Sequence, residues 1–494
     1  MSQEAPRVIP PKGRRDNVGW IIALGDALAL TIAFLVTALV RTTFEGRVGR
    51  PRLTELLDPN DPRLLVFPLL ALAALLTFWY LGHYGRRRPF WDEVASVVKV
   101  VAILALVDLA LLFLSRSQVS RIWVLSIWLV IPFLMPAVRA ATKQLLLRLG
   151  RWQQPTVVIG TGENAIAAAE ALEDEPLMGF RVVAFADLET PTESTPRALS
   201  LHGREVPLIH LSEVLEQEIE ELRRRGVKNI TLAPESAVTP AHRAFVNALY
   251  PHFPSVSIVP PLQGLPLYGT EVSHFFRHEA LFLRIRNNLD RPGAQLLKRL
   301  FDILASSLLL AALSPVLAFI AWKVGRSGRP IVFGHTRVGQ NGVPFTCYKF
   351  RSMVPDAEKV LEELLARDPA ARAEWERDFK LKDDPRVTPF GQFLRSSSLD
   401  ELPQLWNVLK GEMSLVGPRP VVADELERYG EGVGYYLQAK PGVTGLWQIS
   451  GRNDIDYADR VYLDGWYVKN WSLWYDLVIL LKTLRVVLER SGAY

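Results

Sequence analysis

Four long apolar runs, at residues 18–40, 64–81, 94–114 and 122–138, follow one another at the start of the chain. Each comes close to the roughly 20 residues that a bilayer-crossing helix requires. One such run could be a buried helix of a soluble domain. Four in series, divided by charged or proline-rich loops, predict a four-helix transmembrane bundle. Basic residues orient it. Arg7, Lys12, Arg14 and Arg15, the run Arg86-Arg87-Arg88, and Arg139, Lys143, Arg148 and Arg151 share one side if all four helices cross. That bias places both termini in the cytoplasm. No small-residue cleavage site follows the first run, so it reads as a retained helix. Asp26, Lys99 and Asp108 lie inside the runs. Ionisable groups there are candidates for function, and interhelical ion pairs or interfacial positions are the plainer reading.

Beyond Gly150 the pattern changes to that of a soluble domain. Thr156-Val157-Val158-Ile159 predicts a short strand, followed by the turn Gly160-Thr161-Gly162-Glu163-Asn164-Ala165 and an alanine-rich helix. A second strand over residues 181–185 ends near Asp187. Strand, glycine turn, helix, strand and acid in this order open a doubly wound α/β fold. Further strands are expected at residues 229–232 and 255–259, with a charged helix between Leu211 and Arg225. The glycine turn and Asp187 would permit a dinucleotide. Between Thr156 and Asn288, however, no Tyr-x-x-x-Lys pair occurs, as a short-chain epimerase would need.

A fifth apolar run, residues 296–324, is interrupted by Ser314-Pro315, and a proline there predicts a kink. Lys298 and Arg299 precede it, and Lys323, Arg326 and Arg329 follow it. A helix that bends back at Ser314-Pro315 keeps both basic clusters on one side. A kinked spanning helix separates them. The residues alone permit both.

Composition changes the picture little. The chain of 494 residues is 49% hydrophobic and 22% charged, with a formal net charge of +5. With the membrane runs in place, anionic lipid and phosphorylated substrates suit that charge better than nucleic acid. The single cysteine, Cys347, rules out an intrachain disulfide and a cysteine-built metal cage.

The candidate chemistry lies near the C-terminus, in Lys349-Phe350-Arg351-Ser352-Met353, Arg395-Ser396-Ser397-Ser398-Leu399-Asp400-Glu401-Leu402-Pro403-Gln404, Val416-Gly417-Pro418-Arg419-Pro420 and Gly451-Arg452-Asn453. Ser398 to Glu401 fits a capping box, although Pro403 then falls early inside the helix. The alternative is a phosphate site: a helix start offers free N–H groups, and Arg395 and Arg419 could converge there. A carboxylate beside such a site can attack phosphorus. Its neighbour can hold Mg2+ or manage a proton.

Those motifs together resemble the monotopic phosphoglycosyl transferases, the bacterial sugar transferase family. The likeness is strongest after His274, and the N-terminal helices with a degenerate Rossmann-like α/β domain resemble its larger members. The resemblance implies three parts: a transmembrane domain at 1–150, the α/β domain and connector at 151–288, and a mainly helical catalytic domain at 289–494. It implies transfer of a sugar 1-phosphate, galactose 1-phosphate foremost, from a UDP-sugar to undecaprenyl phosphate with release of UMP. UDP-glucose as donor, or a non-catalytic scaffold, are the alternatives. Asp400 would be the catalytic nucleophile and Glu401 its partner, the two also binding Mg2+. Arg395 would hold a phosphate, with Lys349, Arg351, Pro418, Arg419 and Arg452 near the substrate. Ser314 and Pro315 would break a re-entrant helix entering one leaflet. The implied setting is the bacterial inner membrane, with the catalytic domain on the cytoplasmic face, membrane lipids as neighbours and a homodimer compatible with it.

Overall fold

The computed structural model describes residues 18–44, 63–114, 121–188, 196–211, 215–224, 226–236, 240–249, 252–253, 256–262, 264–267, 270–274, 281–285, 287–289, 291–369, 372, 381, 384–451 and 456–489. They form two compact units, divided between Leu262 and Gln263.

The first unit begins with four helices, α1 (Gly19–Phe44), α2 (Arg63–Tyr80), α3 (Phe90–Leu114) and α4 (Arg121–Arg148). Gly19–Leu39, Phe90–Leu114 and Trp123–Arg148 are long and apolar enough to cross a membrane, and the apolar stretch Leu64–Tyr80 is shorter. Phe34, Phe67, Phe78, Ile127 and Met135 form the bundle core, whereas Leu65, Leu72, Leu106 and Leu129 face outward. Outward leucines suit a lipid solvent. Two of the three charged residues inside the predicted spans are structural. The Arg139 guanidinium donates from Nε to Asp26 Oδ1 at 2.7 Å and from Nη2 to Oδ2 at 2.6 Å, tying α1 to α4. Its Nη1 reaches Glu93 Oε1 at 3.2 Å, and Lys143 holds the other Glu93 oxygen at 2.5 Å. Asp108 accepts from Trp128 Nε1 at 2.7 Å. Lys99 is exposed on α3.

The α/β part of this unit contains β1 (Gln154–Ile159), α5 (Glu163–Glu173), β2 (Phe180–Asp187), β3 (Ala198–Leu201), β4 (Arg204–His210), α6 (Leu215–Arg224), β5 (Asn229–Leu232), α7 (Pro240–Leu249) and β6 (Val256–Ile258). Its sheet runs β3-β4-β2-β1-β5-β6, parallel except for the β3 edge. The expected glycine turn lies between β1 and α5, but a carboxylate of the chain itself occupies its helix end. Glu235 Oε1 accepts from the backbone N–H groups of Asn164 at 2.8 Å and Ala165 at 3.4 Å. A Cβ on Gly162 would collide with that Glu235 side chain. The glycine therefore admits a carboxylate where a dinucleotide fold admits pyrophosphate.

In the second unit, the hairpin β7 (Glu271–His274) and β8 (Leu281–Arg284) precedes α8 (Pro292–Gly325), a 34-residue helix that is also long and apolar enough to cross a membrane. Both ends of α8 pack into this same unit. Near its start, Lys298 donates to Asp476 Oδ2 at 2.7 Å, Arg299 donates to the carbonyls of Val408 and Leu409 at 2.6 Å each, and buried Asp302 accepts from Leu415 N at 3.0 Å and Ser414 Oγ at 3.1 Å. Near its end, Ile320 and Val324 pack with Phe350 and Leu394. Between these ends Leu304, Leu308, Leu309 and Phe319 are exposed. Pro315 has no N–H for the carbonyl of Ala311 one turn back. The Ser314 hydroxyl supplies the missing donor to that carbonyl at 2.8 Å.

Candidate active site

The site is assembled from the hairpin β9 (Val332–Val338) and β10 (Pro344–Phe350), and from the segment joining α10 (Pro389–Ser396) to α11 (Gln404–Lys410). Thr388 caps α10 by accepting from Gly391 N at 2.9 Å. Gly391 itself abuts the Ser352 carbonyl so closely that any Cβ would clash, which presses α10 against the stretch after β10. The chain then turns at Ser398, a non-glycine residue with φ +55°, into a single 3-10 turn, Leu399–Glu401. The capping box is not formed, because Ser398 makes no side-chain cap. Pro403 stands at the N-cap of α11, where it breaks no helical bond.

This arrangement brings together five of the predicted residues. Lys349, on β10, places Nζ 2.6 Å from Glu401 Oε1. Burial alone would lower the Lys349 ammonium, but the Glu401 charge and hydrogen bond outweigh it and hold it raised. Asp400, on the same turn, is pushed up to about 6, first by burial and next by the Glu401 charge, against the pull of Lys349 and Arg395. Arg395 donates from Nε to Ser352 Oγ at 2.9 Å. Lys349, Arg351, Arg395, Asp400 and Glu401 line one cavity of about 510 Å3, whose wall also carries Phe333, Phe350 and Met353. Arg351 faces the end of α8 as well, donating from Nη2 to the carbonyls of Gly328 at 2.8 Å and Val324 at 3.2 Å.

A second cavity, of about 160 Å3, shares Arg337, Cys347, Lys349 and Glu401 with the first and extends to Arg419, Trp447 and Arg460. Arg419 follows β11 (Ser414–Val416), which pairs in parallel with β12 (Gly442–Thr444). A Cβ on Gly442 would strike the backbone of Gly417, so the two loops can meet only through glycine. Pro418, buried between them, accepts from Gly442 N at 2.8 Å. Beyond it, Asp464 on the helix Tyr457–Lys469 accepts from Tyr429 Oη at 2.9 Å, and burial raises it to about 7. Arg452 lies outside the described residues. Sequence reasoning did not single out Arg337, Trp447 or Arg460. The available signal was the glycine-rich turn just before Trp447.

Among the described residues no three His, Cys, Asp or Glu side chains gather into a metal cage. Asp400 and Glu401 do fit Mg2+, which takes one or two carboxylates and completes its shell from phosphates and water.

Comparison with known proteins gives this chemistry its class. Residues 293–490 match the family described as bacterial sugar transferase, and residues 80–260 match one described as a CoA-binding domain. The undecaprenyl-phosphate galactose phosphotransferase of Salmonella typhimurium is 49% identical over 440 residues, 88% of this chain and 90% of that one. The UDP-glucose:undecaprenyl-phosphate glucose-1-phosphate transferase of Klebsiella pneumoniae is 30% identical over 454 residues, 87% of this chain and 90% of its own. The exopolysaccharide production protein ExoY of Sinorhizobium fredii is 51% identical over 216 residues, which span 44% of this chain and 96% of ExoY. The molecule is a membrane-associated transferase. It belongs to the bacterial sugar transferase family.

Proposed function

We propose that the protein transfers galactose 1-phosphate from UDP-galactose to undecaprenyl phosphate, on the cytoplasmic face of a bacterial inner membrane. The observation that carries this reading is the Asp400 carboxyl, set between Glu401, Lys349 and Arg395 on a cavity wall. Asp400 attacks the phosphorus that bears the sugar, and the bond from that phosphorus to the bridging oxygen breaks. UMP leaves with the electron pair, and an aspartyl phosphosugar remains. An oxygen of undecaprenyl phosphate then attacks the same phosphorus and displaces the Asp400 carboxylate. Lys349 orients Glu401 through their 2.6 Å contact and offsets charge that would repel an incoming phosphate. Arg395 holds phosphate oxygens. Mg2+ bound at Asp400 and Glu401 would neutralise the phosphoryl oxygens.

Galactose is favoured over glucose by the higher identity to the galactose phosphotransferase, 49% against 30%. Helix α8 is read as re-entrant, because both its ends pack into one unit while its middle is exposed and apolar. The α/β domain, in which Glu235 fills the anion position, is read as a Rossmann-like fold serving placement or assembly. The deciding experiment is transfer of label from UDP-galactose, UDP-glucose and their N-acetyl relatives to undecaprenyl phosphate in membranes. Galactose is expected to be transferred fastest. No lipid product with any of the four would overturn the reading.

A further inference from the structure

The smaller cavity is built for an anion. Arg419 and Arg460 stand over the Trp447 ring, their guanidinium carbons 5.5 Å and 5.3 Å from its centre. Arg337 and Lys349 add two more cations on its walls, and among the described residues Glu401 is the only acid on them. Outside the cavity, Arg337 is shared with Glu425 at 3.5 Å. Trp447 is only 8% exposed, and among the described residues its indole N–H has no hydrogen-bond partner. Nor has the buried Nε of Arg460. Leaving two buried donors without acceptors is costly. They line the same cavity, so a group rich in acceptor oxygens would satisfy both.

The two cavities differ in lining. The larger one carries Asp400 and Arg395, and it is walled largely by apolar side chains such as Phe333, Phe350 and Met353. The smaller shares Arg337, Cys347, Lys349 and Glu401 with it and adds Arg419, Arg460 and Trp447, without Asp400 or Arg395. A phosphate group at the reacting centre would therefore have a second phosphate site beside it. A phosphate monoester could come from the nucleotide or from the lipid. The apolar wall of the larger cavity suits a polyprenyl chain, and the smaller cavity has no comparable wall.

We infer that the cavity formed by Arg337, Arg419, Trp447 and Arg460 holds the phosphate of the nucleotide leaving group, with the Trp447 N–H and Arg460 Nε–H as its donors. This rests on the proposed transfer from a nucleotide diphosphosugar. It adds Trp447 and Arg460 as binding residues for the half of the donor that departs.

The test uses the full-length protein in detergent micelles. Phenylglyoxal modification of the unsubstituted enzyme, read by peptide mass spectrometry, should be slowed at Arg419 and Arg460 by UMP and not by undecaprenyl phosphate. Protection by the lipid phosphate alone, or by neither, would overturn the assignment. Trp447→Phe keeps the ring and deletes the N–H, and Arg460→Gln deletes the charge. Each should raise the inhibition constant for UMP and the KM for the sugar nucleotide about tenfold, with the KM for undecaprenyl phosphate within about twofold. Unchanged UMP inhibition, or a rise confined to the lipid, would sink it. An unsubstituted enzyme that releases no UMP from any UDP-sugar would instead refute the transfer reaction itself.

Discussion

Lys349 and Glu401 meet at 2.6 Å across the turn that carries Asp400, so the lysine governs both carboxyls at once. It anchors one and, by its charge, lowers the proton affinity of the other. Replacing it with methionine should cost about 10²–10³ in kcat, the range seen when one preorganised electrostatic contact is removed. The acid limb of the pH profile should also move upward. A rate within about threefold of the unsubstituted enzyme would contradict this role.

The proposed nucleophile Asp400 must attack as a carboxylate, and burial and the Glu401 charge push it up to about 6. Activity should therefore be full above pH 7 and fall as pH drops through about 6, with a slope of one proton. A rate flat down to pH 4.5 would exclude Asp400 as the ionised nucleophile.

Asp400→Asn should abolish both transfer and covalent labelling by sugar-labelled donor, because an amide oxygen is a far poorer nucleophile. Glu401→Gln should lose most activity, with only partial recovery at higher Mg2+. The proposed covalent intermediate requires UMP to depart before the lipid reacts, so initial-rate plots with the two substrates varied should run parallel. Intersecting lines would rule out the covalent intermediate.

A truncated chain beginning at Asn288 should retain detectable transferase activity. ExoY, whose 96% is covered by a match to 44% of this chain, motivates the experiment. Truncation removes the Leu267 N–H that donates to Asn470 Oδ1, so a lower melting temperature is expected without loss of chemistry. A folded, membrane-bound but inactive fragment would show that the first half takes part in the reaction.

For the membrane helix, cysteines at Gln295 and Gly328 report topology once Cys347 is changed to serine. An impermeant thiol reagent should label neither in intact cells and both after lysis. Labelling of either one in intact cells would mean that α8 spans. The structure carries α8 unbroken through the expected break at Ser314-Pro315. Ser314→Ala leaves the Ala311 carbonyl without the donor that Pro315 cannot provide. Transfer activity should therefore fall, and unchanged activity would contradict a role for this hydroxyl.

Much of this organisation was readable in the sequence because the bilayer imposes a length and an apolarity that few other demands imitate. The first four runs were legible for that reason, and β1, the glycine turn, α5 and β2 because a β-branched strand, a glycine turn and an alanine-rich helix follow one another directly. Strands β3 and β4 were not. In β4, Arg204 and Glu205 open the strand, Pro207 interrupts it and His210 closes it, which weakens the apolar strand signal. The candidate site was legible where motifs are contiguous, as at Asp400 and Glu401, which line one cavity with Lys349 and Arg395. Arg337 on β9, Trp447 and Arg460 come from separate elements, and only packing unites them. The role of Glu235 was hidden similarly, since an exposed glutamate far from the glycine turn carries no local sign of its partner.

Helix α8 is also a foundation stone of the catalytic unit. Deleting it to obtain a water-soluble enzyme would leave the Asp476 carboxylate without Lys298, the last carbonyls of α11 without Arg299, and the Leu415 N–H without Asp302. Each lost contact to a charged group amounts to about 1.5–3 kcal/mol, a large share of a domain's stability. Solubility would have to come from repainting the outward leucines at 304, 308 and 309 with polar residues, leaving the helix in place.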